Sequence, residues 1–157
     1  MSRLVSIAAL ASVALAGCAH RTRSGAADIP GFMQGTFIDD YDNRYTISMS
    51  EWQQHPALRY HVVHVEVGGA FLIARNDATN RTDPGRWTRI DWVQLNALPP
   101  YEWGFCYSAW QAPTRAVAET VSVARPEQPR TGCNGYPYTR MRPAPGSPPA
   151  SPPIDRR

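Results

Sequence analysis

The chain has 157 residues, enough for one folded domain, and a modest net charge of +3. Five of its 16 basic residues and two of its 13 acidic residues lie outside residues 31–142, which leaves this segment formally neutral. A domain that binds nucleic acid usually shows a basic patch or stripe. The charge distribution therefore argues against nucleic acid as a partner.

The amino terminus has the pattern of a secretion signal. A basic start with Arg3 precedes an uncharged run over residues 4–16, which is too short to span a bilayer. The run ends in Leu15-Ala16-Gly17-Cys18, which resembles the lipobox of bacterial lipoproteins at all four positions. The resemblance implies a signal peptide over residues 1–17, lipidation of the Cys18 thiol and cleavage just before it. The membrane is then a partner through that lipid.

An alternative is ordinary secretion after Ala14-Leu15-Ala16, which fits the general signal peptidase. Cysteine counting favours lipidation, because acylation of Cys18 leaves Cys106 and Cys133 as an even pair in an oxidising compartment. We expect these two to form a disulfide that closes a loop of about 27 residues and stabilises the domain by about 3 kcal/mol. Ala19 is not the aspartate that retains enterobacterial lipoproteins in the inner membrane. Resemblance to that class implies the outer membrane, facing the periplasm, although other bacteria sort by different rules.

Composition divides the rest of the chain into three parts. Residues 18–30 are small, polar and aperiodic, which is typical of a tether. Residues 143–157 are rich in proline with little apolar bulk, so we expect a disordered tail. Residues 31–142 remain as a β-rich globular domain.

Within that domain the apolar pattern has a period of two, which indicates strands. Gly68-Gly69 between two such runs predicts a tight hairpin, and Thr114 after Pro113 is a candidate N-cap for a short helix over residues 114–121. The predicted strands cover residues 35–38, 44–49, 58–67, 70–75, 86–95, 101–110 and 136–141. We therefore predict a mainly β domain, a small antiparallel meander that is barrel-like or a sandwich, with one short helix and a disulfide. Gly35 two residues before Phe37 resembles the opening of calycin-type barrels.

Catalytic and metal-binding patterns are weak, and we predict no metal, no cofactor and no catalytic residue. His61 and His64 are three apart on a predicted strand, so alternation should send them to opposite faces. A calcium loop counted from Asp40 in the acidic turn 39–43 would have Glu51 at its twelfth position, but Arg44 and Tyr45 stand where it requires an oxygen ligand and a glycine, so a solvated hairpin turn is favoured. The sequence contains neither a Gly-x-Ser-x-Gly elbow nor a phosphate-binding glycine loop.

Aromatic residues are the most distinctive feature of the domain. Trp87 and Trp92 lie five positions apart on one predicted strand, and Trp103 and Trp110 lie seven apart on the next. Because both separations are odd, the two members of each pair should face opposite sides of the sheet. An exposed tryptophan is a platform for a sugar ring or a protein partner, so all four are candidate contact residues. A wholly structural role, with both faces covered, is the alternative.

The resulting hypothesis is a membrane-anchored envelope lipoprotein whose β domain is a non-enzymatic binding or structural module. Its partner would be another envelope protein or a cell-wall glycan. A calycin-like carrier of a small apolar ligand is the first alternative, supported if a barrel encloses an apolar cavity. A small envelope hydrolase is the second, supported by a buried histidine bonded to a carboxylate and a hydroxyl.

Overall fold

The computed structural model describes residues 28–147, and these form a closed antiparallel barrel of eight strands. Each strand pairs with the next along the chain, and the last closes on the first through pairs such as Phe37 with Pro143. The strands are β1 (Gly35–Asp39), β2 (Arg44–Ile47), β3 (Glu51–Gln54), β4 (Leu58–Glu66), β5 (Phe71–Asn76), β6 (Trp87–Gln94), β7 (Trp103–Ala112) and β8 (Thr139–Pro143). The predicted mainly β meander is confirmed, and the sequence had missed β3.

Two turns show how local sequence sets this topology. Gly68-Gly69 joins β4 to β5 as predicted, and the turn is closed by a hydrogen bond of 3.2 Å from the Ala70 amide to the Val67 carbonyl. The turn from β1 to β2 is organised by Asp39. Its buried carboxylate accepts hydrogen bonds from the backbone amides of Tyr41 and Asn43 at 2.9 and 2.8 Å.

The barrel interior is a single apolar core dominated by aromatic rings. Trp52 packs edge to face on Trp103 and on Phe105, with ring centroids 5.9 and 5.1 Å apart. A short 3-10 helix, Gly31–Met33, precedes β1, and both Met33 and Ile29 are buried in this same core. The segment before β1 therefore contributes apolar side chains to the barrel core.

A second layer covers the outer wall of β5, β6 and β7. Helix α1 (Arg115–Thr120) is capped by Thr114, whose hydroxyl accepts a hydrogen bond of 3.2 Å from the Val117 amide, as predicted. Its buried Ala118 packs in a small outer cluster with Ile73, Ala109 and Ala112. No helix within residues 28–147 is long and apolar enough to cross a membrane.

The predicted disulfide between Cys106 and Cys133 is present, with an S–S distance of 2.05 Å. It joins β7 to the segment that returns from α1 to β8, which fixes this outer layer to the wall. Lipidation of Cys18, the signal peptide and most of the predicted tether and tail fall outside the described residues.

Candidate functional site

The four candidate tryptophans have very different environments. Trp103 is fully buried in the interior core, and Trp92 is only 5% exposed there. Trp87 packs half-buried on the outer cluster, with the Arg75 guanidinium 5.9 Å from its ring centroid. Trp110 is 50% exposed. Among these four, Trp110 is therefore the most accessible to a partner.

Trp110 forms a continuous apolar surface with α1. It shares a shallow depression of about 210 Å³ with Val117 and with Val121, the residue after the helix, and both valines are exposed. We call this the Trp110 surface: Trp110, Val117 and Val121, with Ser108, Ala109, Gln111 and Ala112 completing its lining. None of these residues is charged, so the surface offers apolar contact.

The inside of the barrel is occupied by its own side chains. Tyr45, Trp52, Tyr60 and Phe105 are all buried, and the Phe105 ring centroid lies 5.0 Å from that of Tyr107. Burial raises the pKa of the Tyr45 hydroxyl, as does the charge of Asp39, which accepts its hydrogen bond at 3.0 Å. These rings fill space that would otherwise be open to a ligand.

A second surface site lies where the β1–β2 turn meets the loop between β6 and β7. It is a groove of about 560 Å³ in which exposed Tyr41 stands beside charged and amide side chains. We call it the Arg140 groove, lined by Asp40, Tyr41, Gln94, Asn96, Arg130 and Arg140 with neighbouring loop residues. A hydrogen bond from the Arg140 guanidinium to Asp40 raises the pKa of that guanidinium above its ordinary value.

The sequence did not single out this groove. Asp40 and Arg140 are separated by 100 positions, and only barrel closure, which pairs β8 with β1, brings them together. The sequence signal nearest to it is the acidic turn 39–43, which predicts a hairpin turn, with a calcium site as the alternative. In the structure each of its carboxylates has a protein partner: Asp39 binds within the turn, Asp40 pairs with Arg140 and Asp42 pairs with Arg142.

The expectation that His61 and His64 point to opposite faces was wrong. A β-bulge between Val62 and His64 shifts the register, so that His61 pairs with Arg75 and His64 with Ile73. Arg75 and Ile73 are two apart on β5, so both histidines lie on the outer face. Within residues 28–147 no three His, Cys, Asp or Glu side chains form a group that could hold a metal.

His61 instead belongs to an exposed polar cluster with Asp77 and Thr79. The Asp77 carboxylate lies 2.7 Å from His61 Nε2 and accepts a hydrogen bond of 2.6 Å from the Thr79 hydroxyl. Hydrogen bonds from Thr79, and then the one with His61, hold the pKa of the Asp77 carboxyl well below its ordinary value. In a hydrolytic triad the hydroxyl is hydrogen-bonded to the imidazole, whereas here the Thr79 hydroxyl is hydrogen-bonded to the Asp77 carboxylate.

Searches of known protein families, of curated proteins and of solved structures find no significant match to this chain.

Proposed function

We propose that this protein is a membrane-anchored envelope lipoprotein whose β-barrel is a non-enzymatic binding module for another envelope protein. The Trp110 surface is the contact. The observation that carries the proposal is that Trp110 is 50% exposed and shares a depression with two exposed valines, whereas Trp92 and Trp103 are packed inside. Tryptophan is enriched among residues that dominate the energy of protein interfaces, because a large rigid ring buries much area at little entropic cost.

The chemistry of the Trp110 surface favours a protein over a small ligand. Its depression of about 210 Å³ is below the size of typical small-molecule sites, which start near 300 Å³. Its lining has little to bind sugar hydroxyls: the polar groups among its side chains are those of Ser108 and Gln111 and the indole N–H of Trp110. Apolar side chains from a partner would be buried there without leaving charges unpaired.

The packed interior supports a surface function over transport of an apolar ligand. A carrier needs open space inside the barrel, and that volume is taken up by Trp52, Trp103, Phe105 and Tyr107. Edge-to-face contacts between these rings also make the interior costly to rearrange, since protein cores are close-packed. The barrel is best suited to act as a rigid support for residues on its outside.

Lipidation of Cys18 would keep the barrel near the bilayer. Asp28, the first described residue, is ten positions after Cys18, and an extended chain of that length spans at most about 36 Å. More than one acyl chain is enough for stable anchoring of a protein on a membrane. Confinement to this distance raises the effective concentration of the Trp110 surface toward partners in the same membrane.

The contact is tested with a photoreactive amino acid at position 110 of the full chain in a Gram-negative host. Val63 is the control position, because it is 41% exposed on β4, outside the Trp110 surface. We expect a discrete crosslinked protein from position 110 and none from position 63. The crosslink should be lost in Val121→Asp and retained in Val63→Asp. A crosslink that survives Val121→Asp, or the same product from both positions, contradicts the proposal.

The anchor is tested separately with Cys18→Ala. The wild-type chain should gain the mass of its acyl groups and partition with membranes, whereas the variant should do neither. Density separation of the two membranes then checks the expected outer-membrane location. An unmodified Cys18 in the mature wild-type protein would overturn this half of the proposal.

A further inference from the structure

The Arg140 guanidinium is held in place at the surface of the barrel. Its Nε donates a hydrogen bond of 2.7 Å to Asp40, and the backbone amide of Arg140 donates to the other oxygen of the same carboxylate at 3.2 Å. Its Cζ lies 4.7 Å from the ring centroid of Tyr101. Exposed arginines lose entropy when they bind, so these contacts prepare the group for a ligand in advance.

The guanidinium still has donors to offer. Asp40 occupies its Nε, and within residues 28–147 no protein acceptor bonds its two terminal nitrogens. The side chain is 42% exposed and lines the groove, so these nitrogens are accessible there. A planar pair of N–H donors matches the two oxygens of a carboxylate.

The charge of the groove favours an anion. Asp40 offsets the charge of Arg140, and exposed Arg130 on the same wall forms no ion pair within the described part of the chain. The groove therefore carries a net positive charge. This charge is small, which suits a ligand with one carboxylate better than a polyanion.

An aromatic ring and two amides complete the site. Tyr41 is 72% exposed on the β1–β2 turn, where its face is available for stacking. Gln94, the last residue of β6, and Asn96, on the loop after it, are both exposed and supply the donors and acceptors that sugar hydroxyls require. A volume of about 560 Å³ lies within the range of small-ligand sites.

From this arrangement we propose that the Arg140 groove binds a saccharide that carries a carboxylate. The carboxylate is bound by the terminal nitrogens of Arg140, the sugar ring stacks on Tyr41, and the amides of Gln94 and Asn96 bind hydroxyl groups. This site goes beyond the function proposed above. It uses a different surface and does not depend on the Trp110 surface or on lipidation.

The test is ligand-observed NMR with the full-length chain. The probes are methyl glycosides of glucuronate, galacturonate and N-acetylmuramate, each compared with its neutral counterpart. We expect saturation transfer to at least one acidic sugar and binding about tenfold weaker for its neutral counterpart, as for loss of a charged hydrogen bond. An acetylated dipeptide with a free carboxylate probes carboxylate binding alone.

Matched variants locate the binding. Arg140→Gln and Tyr41→Ala should each weaken it about tenfold, by loss of the donors and of the stacking face. Arg142→Gln, two residues along β8, and Tyr136→Ala, which is also 72% exposed but does not line the groove, should leave it unchanged. Thermal unfolding of each variant checks that it is folded, and Tyr41→Ala on an exposed turn provides a second route if Arg140→Gln is not.

Three results would overturn the proposal: no binding of any acidic sugar at millimolar concentration, equal binding of the neutral counterparts, or equal binding by the dipeptide. The last would identify the groove as a site for peptide carboxylates. Each of these outcomes leaves the function proposed for the Trp110 surface unaffected.

Discussion

Arg89 and Asp91 form a bidentate ion pair on the outer wall of the barrel, where both are almost completely buried. Arg89 donates from Nε and Nη2 to the two oxygens of Asp91 at 2.9 and 2.8 Å, and its Nη1 donates to the Glu119 carbonyl at 2.8 Å. The Ser108 hydroxyl also donates to Asp91. The pair thus connects β6 to β7 and to α1, beside the Trp110 surface.

We predict that Asp91→Ala lowers the free energy of unfolding by about 3–5 kcal/mol, because it leaves a buried guanidinium without its counter-charge. Urea unfolding measures this. Glu119→Ala is the control, since its ion pair with Arg115 is exposed and worth about 0.3–0.5 kcal/mol. Similar losses in the two variants would show that burial does not govern the cost.

The disulfide should contribute stability of the same order. Cys106 and Cys133 are 27 positions apart, and replacing both by Ser should lower the free energy of unfolding by about 3 kcal/mol by releasing that loop in the unfolded chain. The measurement compares urea unfolding of the oxidised wild type, the reduced wild type and the variant. Reduced wild type and variant should agree. Alkylation of both cysteines in the oxidised protein would contradict the pairing.

Local signals predicted much of this fold, whereas contacts between distant segments were not predictable. Alternation, the Gly68-Gly69 turn and the Thr114 cap each depend on a few neighbouring residues. The bulge between Val62 and His64 reversed one face prediction because an extra residue in a strand leaves no mark in an alternating sequence. The Arg140 groove depends on barrel closure, which no short pattern encodes.

The four tryptophans illustrate the same limit. Strand alternation predicts that the two tryptophans of each pair lie on opposite faces of the sheet. It does not show which face lines the barrel interior and which face is covered by α1. That distinction depends on how the segment after β7 folds back over the wall. The disulfide and the Arg89–Asp91 pair hold this segment there.

Close backbone packing in this return segment makes Gly132 sensitive to substitution. A Cβ at this position would overlap the Arg125 carbonyl oxygen and lie 2.6 Å from that of Gln128, and both are backbone atoms. Gly132→Ala should therefore disrupt the turn beside Cys133 and increase proteolysis between α1 and β8. Gly68→Ala is the control, because a Cβ there meets only the flexible Glu66 side chain at 3.4 Å. Equal protection of both variants would contradict the prediction.

Tyr138 should make stability fall at alkaline pH. Its side chain is buried, and its hydroxyl has no hydrogen-bond partner among the described residues. Burial, and then the negative charge of Asp91, raise the pKa of Tyr138 from 10.0 to about 12. The folded protein keeps this proton at a pH where the unfolded chain has lost it. The contribution of Tyr138 to the free energy of unfolding is therefore complete below pH 10 and is lost as pH rises through about 12.

Tyr138→Phe removes this group and should flatten the decline of unfolding free energy above pH 10, with little change at neutral pH because the hydroxyl is unpaired. Part of the decline should persist, since burial also raises the pKa values of Tyr60 and Tyr107. Urea unfolding at a series of pH values measures the slope. Tyr136→Phe, at a position that is 72% exposed, provides the control and should retain the wild-type slope. Identical slopes for Tyr138→Phe and wild type would mean that the Tyr138 hydroxyl titrates alike in the folded and unfolded chains.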